Sequence, residues 1–260
     1  MLNEPRILRG MKLPALAAII FVASTALAQP ASAPPPQWKV LNDQAFALLQ
    51  QGDTDGAASA MAKALDAATA ALGPDHARVA TIENNLGALY RMQKKYAQAE
   101  PLYLHALATR EKALGSEDPL VAVTLANLAA LHDAQDHFEQ AEQYYKRALA
   151  IREKALGAEH AETLAVANSL AELYMEQRRY EKAEPLLQRV YAARARTLKP
   201  EDADLRKTKK ELWTLYVSTG EYGRAGQYAQ EGDVTPSEED RRRLLGAVPS
   251  AKGTIATGGR

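Results

Sequence analysis

The chain contains no cysteine among its 260 residues. Disulfides, thiolate metal sites and cysteine nucleophiles are thereby excluded together. Aromatic residues are also scarce, with three Phe and two Trp, and β-branched residues are thin. Four-stranded blades and other sheet-rich repeats, which need aromatic and β-branched alternation, therefore lack their raw material. Neither sign of charge is in excess, since 32 Lys and Arg balance 32 Asp and Glu. Such a balance provides no basic footprint for nucleic acid. No glycine-rich phosphate loop, HExxH pair or nucleophile-elbow serine is present, so the usual marks of catalysis are missing. What remains is 47% hydrophobic content dominated by Ala and Leu. Both are strong helix formers, and the expectation is an all-α fold.

One apolar run stands out, Leu13 to Ala28, behind Arg6, Arg9 and Lys12. At about 16 residues, with Pro14 inside, it is short of the roughly 20 that cross a bilayer. Basic n-region, short h-region and the Ala26-Leu27-Ala28 ending describe a secretory signal peptide. The expectation is cleavage after Ala28 and export, most naturally to a periplasm, with retention as a membrane anchor the alternative. Met11 opens a more typical signal peptide than Met1. Loss of residues 1–28 removes three basic and one acidic residue, leaving 29 against 31 and a net charge of −2. Residues 29–36, rich in Pro and Ala, read as a semi-rigid spacer.

Self-similarity sets the rest. Asn85-Leu86-Gly87-Ala88-Leu89-Tyr90 returns 42 residues on as Asn127-Leu128-Ala129-Ala130-Leu131-His132. The same step leads to Ser169-Leu170-Ala171-Glu172-Leu173-Tyr174 and to Glu211-Leu212-Trp213-Thr214-Leu215-Tyr216. It also carries Ala57 to Ala99, Ala141, Ala183 and Ala225. Repeats near 38–79, 80–121, 122–163, 164–205 and 206–231 follow. Each reads as two helices. The first carries Leu86, Leu89 and Tyr90 on one stripe at i, i+3 and i+4. After the polar turn Gln93-Lys94-Lys95, the second runs from about Ala97 to Leu114, with Ala99, Tyr103, Ala106, Leu107 and Leu114 inward. Pro101 and Pro185 are expected near its first turn, where a missing N–H costs least. Gly73, Gly115 and Gly157 are expected as left-handed caps, and Asp118-Pro119 as an N-cap with proline at the first helical position. In the tail from residue 232, a short capping helix is expected at 238–245.

The ladder Leu-Gly/Ala-x-x-Tyr, then Ala-x-x-x-aromatic, resembles the tetratricopeptide repeat. Its 42-residue period and the Leu-Gly-x-x-His/Asp-Pro/Ala loop are similar to the kinesin light chain type. The terminal repeats depart from the pattern, at Gln44 in the first and at Trp213 and Ala229 in the fifth, as ends of a solenoid do. The resemblance implies a right-handed superhelical solenoid of about five helix pairs whose first helices line a peptide-binding groove. Carried over by position, the groove residues are Asn84, Asn85 and Arg91, then Asn127 and Asp133, then Asn168, Glu172 and Glu176, then Lys207 and Lys210. Asparagine amides suit capture of an extended chain; equally, they suit a bond to the neighbouring helix.

His132 and His137 invite a metal reading, but a spacing of five does not put them on one helical face. His132 stands where other repeats carry tyrosine, and the expectation is a core or groove-edge histidine. His76 and His160 recur at equivalent loop positions. No enzyme activity, cofactor, metal or nucleic acid is expected. The sequence points to a scaffold for a protein or peptide partner, with a structural subunit of an envelope assembly, anchored by an uncleaved N-terminus, as the alternative. A membrane enters only if the signal segment is retained.

Overall fold

The computed structural model describes residues 35–230. The signal segment, most of the 29–36 spacer and the expected helix at 238–245 lie outside them. All regular structure among the described residues is helical. Ten helices form two compact units that divide after Arg179. The first holds α1 (Gln37–Gln50), α2 (Thr54–Leu72), α3 (Ala77–Met92), α4 (Tyr96–Leu114), α5 (Pro119–Asp133), α6 (Phe138–Leu156) and α7 (Ala161–Glu176). The second holds α8 (Tyr180–Thr197), α9 (Ala203–Ser218) and the four-residue α10 (Tyr222–Ala225). Within the first unit each helix packs on the next, and α3 also meets α5 directly. In the second, α9 packs on both α8 and α10. This is the helix-pair repeat of an all-α solenoid.

Local chemistry repeats with the sequence. Helices α3, α5, α7 and α9 are capped from residues 76, 118, 160 and 202. The Asp118 carboxylate accepts from the Leu120 amide at 2.8 Å and Asp202 accepts from Asp204 at 2.9 Å. His76 and His160 do the same through Nδ1, from Arg78 at 3.1 Å and Glu162 at 3.3 Å. The recurring histidines are therefore helix caps, each satisfying one free amide of a first turn. Between the helices of a pair, Lys94, Asp136 and Arg178 adopt φ of 58°, 59° and 56°, a left-handed residue that reverses the chain. Gly52 and Gly220 stand at the same step and also have positive φ.

The alanine ladder lies where the helices meet. Ala57, Ala99, Ala141, Ala183 and Ala225 are all fully buried. A side chain without γ atoms lets two backbones approach, while Met61, Tyr103, Tyr145 and Leu187, one turn on, fill the space beside them.

Three expectations are corrected. Leu114 was expected inward but is 42% exposed, and its counterpart Leu156 is exposed too. Each is the last residue of its helix, just before the capping glycine. Pro101 lies in the second turn of α4, because that helix begins at Tyr96. It therefore forfeits a bond to the Ala97 carbonyl, whose residue is exposed and can turn to water. Gly115 caps α4 with φ 88° and ψ 157°, and Gly157 caps α6 with 90° and 158°. That is the extended positive-φ region open essentially to glycine alone, rather than the left-handed helical one.

Candidate functional site

The residues expected in the groove divide into two groups. Asn84, Asn85, Asn127 and Asn168 are buried. Asn127 Nδ2 donates to Asn84 Oδ1 at 3.1 Å, joining α5 to α3. Asn84 Nδ2 is 3.5 Å from Asn85 Oδ1. Asn168 Nδ2 donates to Glu172 Oε1 at 2.5 Å, one turn along α7. Asn84, Asn127 and Asn168 thus bond within or between helices, while Asn85 Nδ2 is buried with no hydrogen-bond partner among the described residues.

The charged residues differ. Arg91 near the end of α3, and Glu172 and Glu176 on α7, come within electrostatic reach of Asp133 at the end of α5. Asp133 is pushed up to about 7, first by burial and then by Glu176, Glu172 and Asp136, against the pull of Arg91. Its Oδ1 is buried with no hydrogen-bond partner among the described residues. Glu176, though more open, is also raised, by burial, Glu172 and Asp136. Carboxylates gathered this closely raise one another's affinity for protons. Lys207 and Lys210 belong to the second unit, both exposed. Lys207 lies 3.7 Å from Glu211, and Lys210 sits over the Trp213 ring at 5.0 Å.

Two polar ladders were missed in the sequence. Arg110 is buried on α4. Its Nη1 donates to the Leu120 carbonyl at 2.8 Å and to Thr124 Oγ1 at 2.7 Å, clamping the start of α5. Burial lowers the Arg110 guanidinium to about 10. Arg152 is buried at the next step, beside Glu162, and Arg194 reaches Thr208 Oγ1 at 2.6 Å in the second unit. The second ladder is a carboxylate cage. Glu142 on α6 accepts from Tyr174 Oη at 2.9 Å, Arg179 Nη1 at 2.6 Å and Lys146 Nζ at 2.6 Å. Burial alone would raise this carboxyl, but the three donors hold it down at about 2. In the second unit Glu184 accepts from Tyr216 Oη at 3.1 Å and is paired with Arg224.

One step before Glu142 stands Glu100, with His132 and His137 at the tyrosine and arginine positions. His132 Nε2 lies 3.9 Å from Glu100 Oε1, and the ring stacks on Tyr144 at 5.4 Å. Burial lowers the His132 pKa, with Glu100 opposing. The two histidines thus occupy donor positions of the cage. The signal for both ladders was available: Arg110, Arg152 and Arg194, like Glu100, Glu142 and Glu184, recur at the 42-residue step.

Comparison with known proteins agrees with this architecture. A search of curated proteins returns no match. Among solved structures, the nearly identical TPR-like repeats of a Podosopora anserina protein described as a kinesin light chain are similar. They share 22% identity at a TM-score of 0.64, over 84% of this chain and 99% of that one. BtubC (BKLC) from P. vanneervenii is similar at 24% identity and a TM-score of 0.66, over 85% and 86%. These likenesses establish the fold. The profile of the tetratricopeptide repeat matches residues 39–112, 78–154 and 144–196, more than half of the sequence, and the chain belongs to the tetratricopeptide repeat family.

Proposed function

We propose that this protein is an exported, non-catalytic adaptor that holds a partner protein or peptide on the face made by α3, α5 and α7. Tetratricopeptide repeat proteins are protein-interaction scaffolds, and the finer reading rests on one observation. Asp133, Glu172 and Glu176 are gathered from successive first helices, and burial with these acidic neighbours raises the Asp133 carboxyl to about 7, with its Oδ1 buried and without a hydrogen-bond partner among the described residues. A fold gains nothing from crowding carboxylates, whereas a cationic side chain from a partner would relieve them. Arg91 beside them offers a donor to a backbone carbonyl or an acid of the same segment. The asparagines beneath act as a floor that joins α3 to α5.

The test is a pull-down with the mature protein, using wild type and the double variant Glu172→Lys, Glu176→Lys. A partner retained by the wild type and lost by the variant, with unchanged circular dichroism, is the expected result. Equal retention by both would move binding to another surface. Export is tested separately by the mass of the mature chain: loss of residues 1–28 is expected. An intact Met1 or Met11 would refute cleavage and favour the anchored reading.

A further inference from the structure

The carboxylate cage is built around Glu142 and Glu184, and at one step of the repeat its carboxylate is missing. Glu142 and Glu184 correspond to Glu100 and, one step earlier, to Ala58 on α2. The donors around that position are nonetheless in place. Tyr90 stands where Tyr174 stands, Lys95 where Arg179 stands, and Gln93 where Gln177 stands. Where the glutamate would be there is a cavity of about 330 Å³, open to solvent and lined by Asp55, Ala58, Ser59, Ala62, Tyr90, Gln93 and Lys95. That size accommodates a carboxylate on its methylene stem.

Two details mark the site as incomplete rather than merely hollow. In the filled cage, Gln177 Oε1 accepts from Arg179 Nη1 at 3.1 Å while Arg179 also holds Glu142. In the empty one, Gln93 Oε1 is buried with no hydrogen-bond partner among the described residues. The Lys95 ammonium instead lies over the Tyr90 ring, 5.9 Å from its centre, with no ion pair among the described residues. An incoming carboxylate would draw Lys95 inward, where one ammonium can donate to the carboxylate and to Gln93 Oε1 together. Asp55 lines the cavity too, but its Oδ1 already accepts from Gln93 Nε2 at 2.8 Å, which holds the amide with Oε1 left for a second donor.

We propose that this cavity between α2 and the end of α3 is a receptor for an acidic side chain of a partner protein, seated where Glu142 and Glu184 seat themselves in later repeats. The proposal is independent of the acidic face assigned above, because it uses different residues and the opposite charge.

The experiment is an NMR titration of the full chain, reading the Gln93 side-chain amide, with N-acetylglutamate methylamide as probe. A saturable shift at about millimolar affinity is expected. Lys95→Met should weaken it about tenfold, the worth of one charge-assisted hydrogen bond. The glutamine and lysine analogues of the probe should leave the amide unmoved. A comparable response to either analogue, no saturable response to the glutamate probe, or a Lys95→Met variant that binds normally would overturn the proposal. A peptide with a free C-terminal carboxylate and no acidic side chain, if it bound more tightly than the probe, would overturn the side-chain source. The second variant is Ala58→Glu, which supplies the missing carboxylate from within. It should raise Tm and abolish the response, and Ala58→Gln should do less. A lower Tm for Ala58→Glu than for wild type would overturn the reading, since it would show that no donors wait there.

Discussion

Gly87→Ala sets two well-characterised effects against each other at one buried position. In a helix interior alanine is favoured over glycine by about 1 kcal/mol, so by propensity alone the change stabilises. The structure reverses the sign. A Cβ on Gly87 would stand 2.9 Å from Tyr103 Cε1 and 3.1 Å from Cδ1 and Cζ. Carbon contacts are comfortable at about 3.5–4.0 Å, so the methyl arrives roughly 0.5–1 Å too close. Tyr103 has no exposed surface and cannot swing aside without moving α4. Overpacking of this kind costs about 1–3 kcal/mol. The net expectation is a loss of about 1 kcal/mol, or about 2–4 °C in Tm for a fold of this size. Urea and thermal unfolding followed by circular dichroism would measure it. Two comparisons isolate the cause. Gly223→Ala, with nothing within 4 Å of its new Cβ, should not destabilise. In a Tyr103→Leu background, where the ring is gone, Gly87→Ala should become neutral or stabilising. If Gly87→Ala stabilises the wild type, the ring is not held as described and the packing argument fails.

Three further outcomes are expected. Glu142→Gln should cost about 1–3 kcal/mol at neutral pH, because three donors lose their charge partner. Since its folded pKa is depressed to about 2, the wild-type advantage should be present above the unfolded value near 4.3 and fade as pH falls towards 2. A gap between wild type and variant that is the same at pH 7 and pH 2.5 would refute the cage. Asp133 has the opposite sign: raised to about 7, it favours the fold when protonated and its benefit is lost as pH rises from about 4 through 7. Asp133→Asn should therefore stabilise at pH 8 and do little at pH 4.5, and equal melting curves at both would contradict the burial assigned to it. Ala141→Leu, at a fully buried helix crossing, should cost about 1–3 kcal/mol, and a variant as stable as wild type would mean the helix register is wrong.

The sequence by itself determined the fold class, because a 42-residue repeat writes the same information several times. The alanine ladder, the first-helix stripe, the Asp118 cap and the polar turn could each be read from composition and spacing. Local preferences of Ala, Leu, Gly and Asp act over a few residues, and a repeat averages away their individual noise. What the tertiary structure decided were distances between residues far apart in the chain. Burial of Asn84 and Asn127 against each other and exposure of Leu114 both depend on how far the next helix reaches. So does the close approach at Gly87, where the next two repeats carry alanine and the fifth carries Trp213, since only the packed structure shows how near the Tyr103 ring stands. The burial that raises Asp133, and the crowding that adds to it, arise between α5 and α7, about 40 residues apart in sequence. The vacancy at Ala58 is visible only once Glu142 is seen in its cage. A single alanine carries no sign in the sequence that its neighbours are arranged for a carboxylate, because that arrangement is a property of three elements brought together.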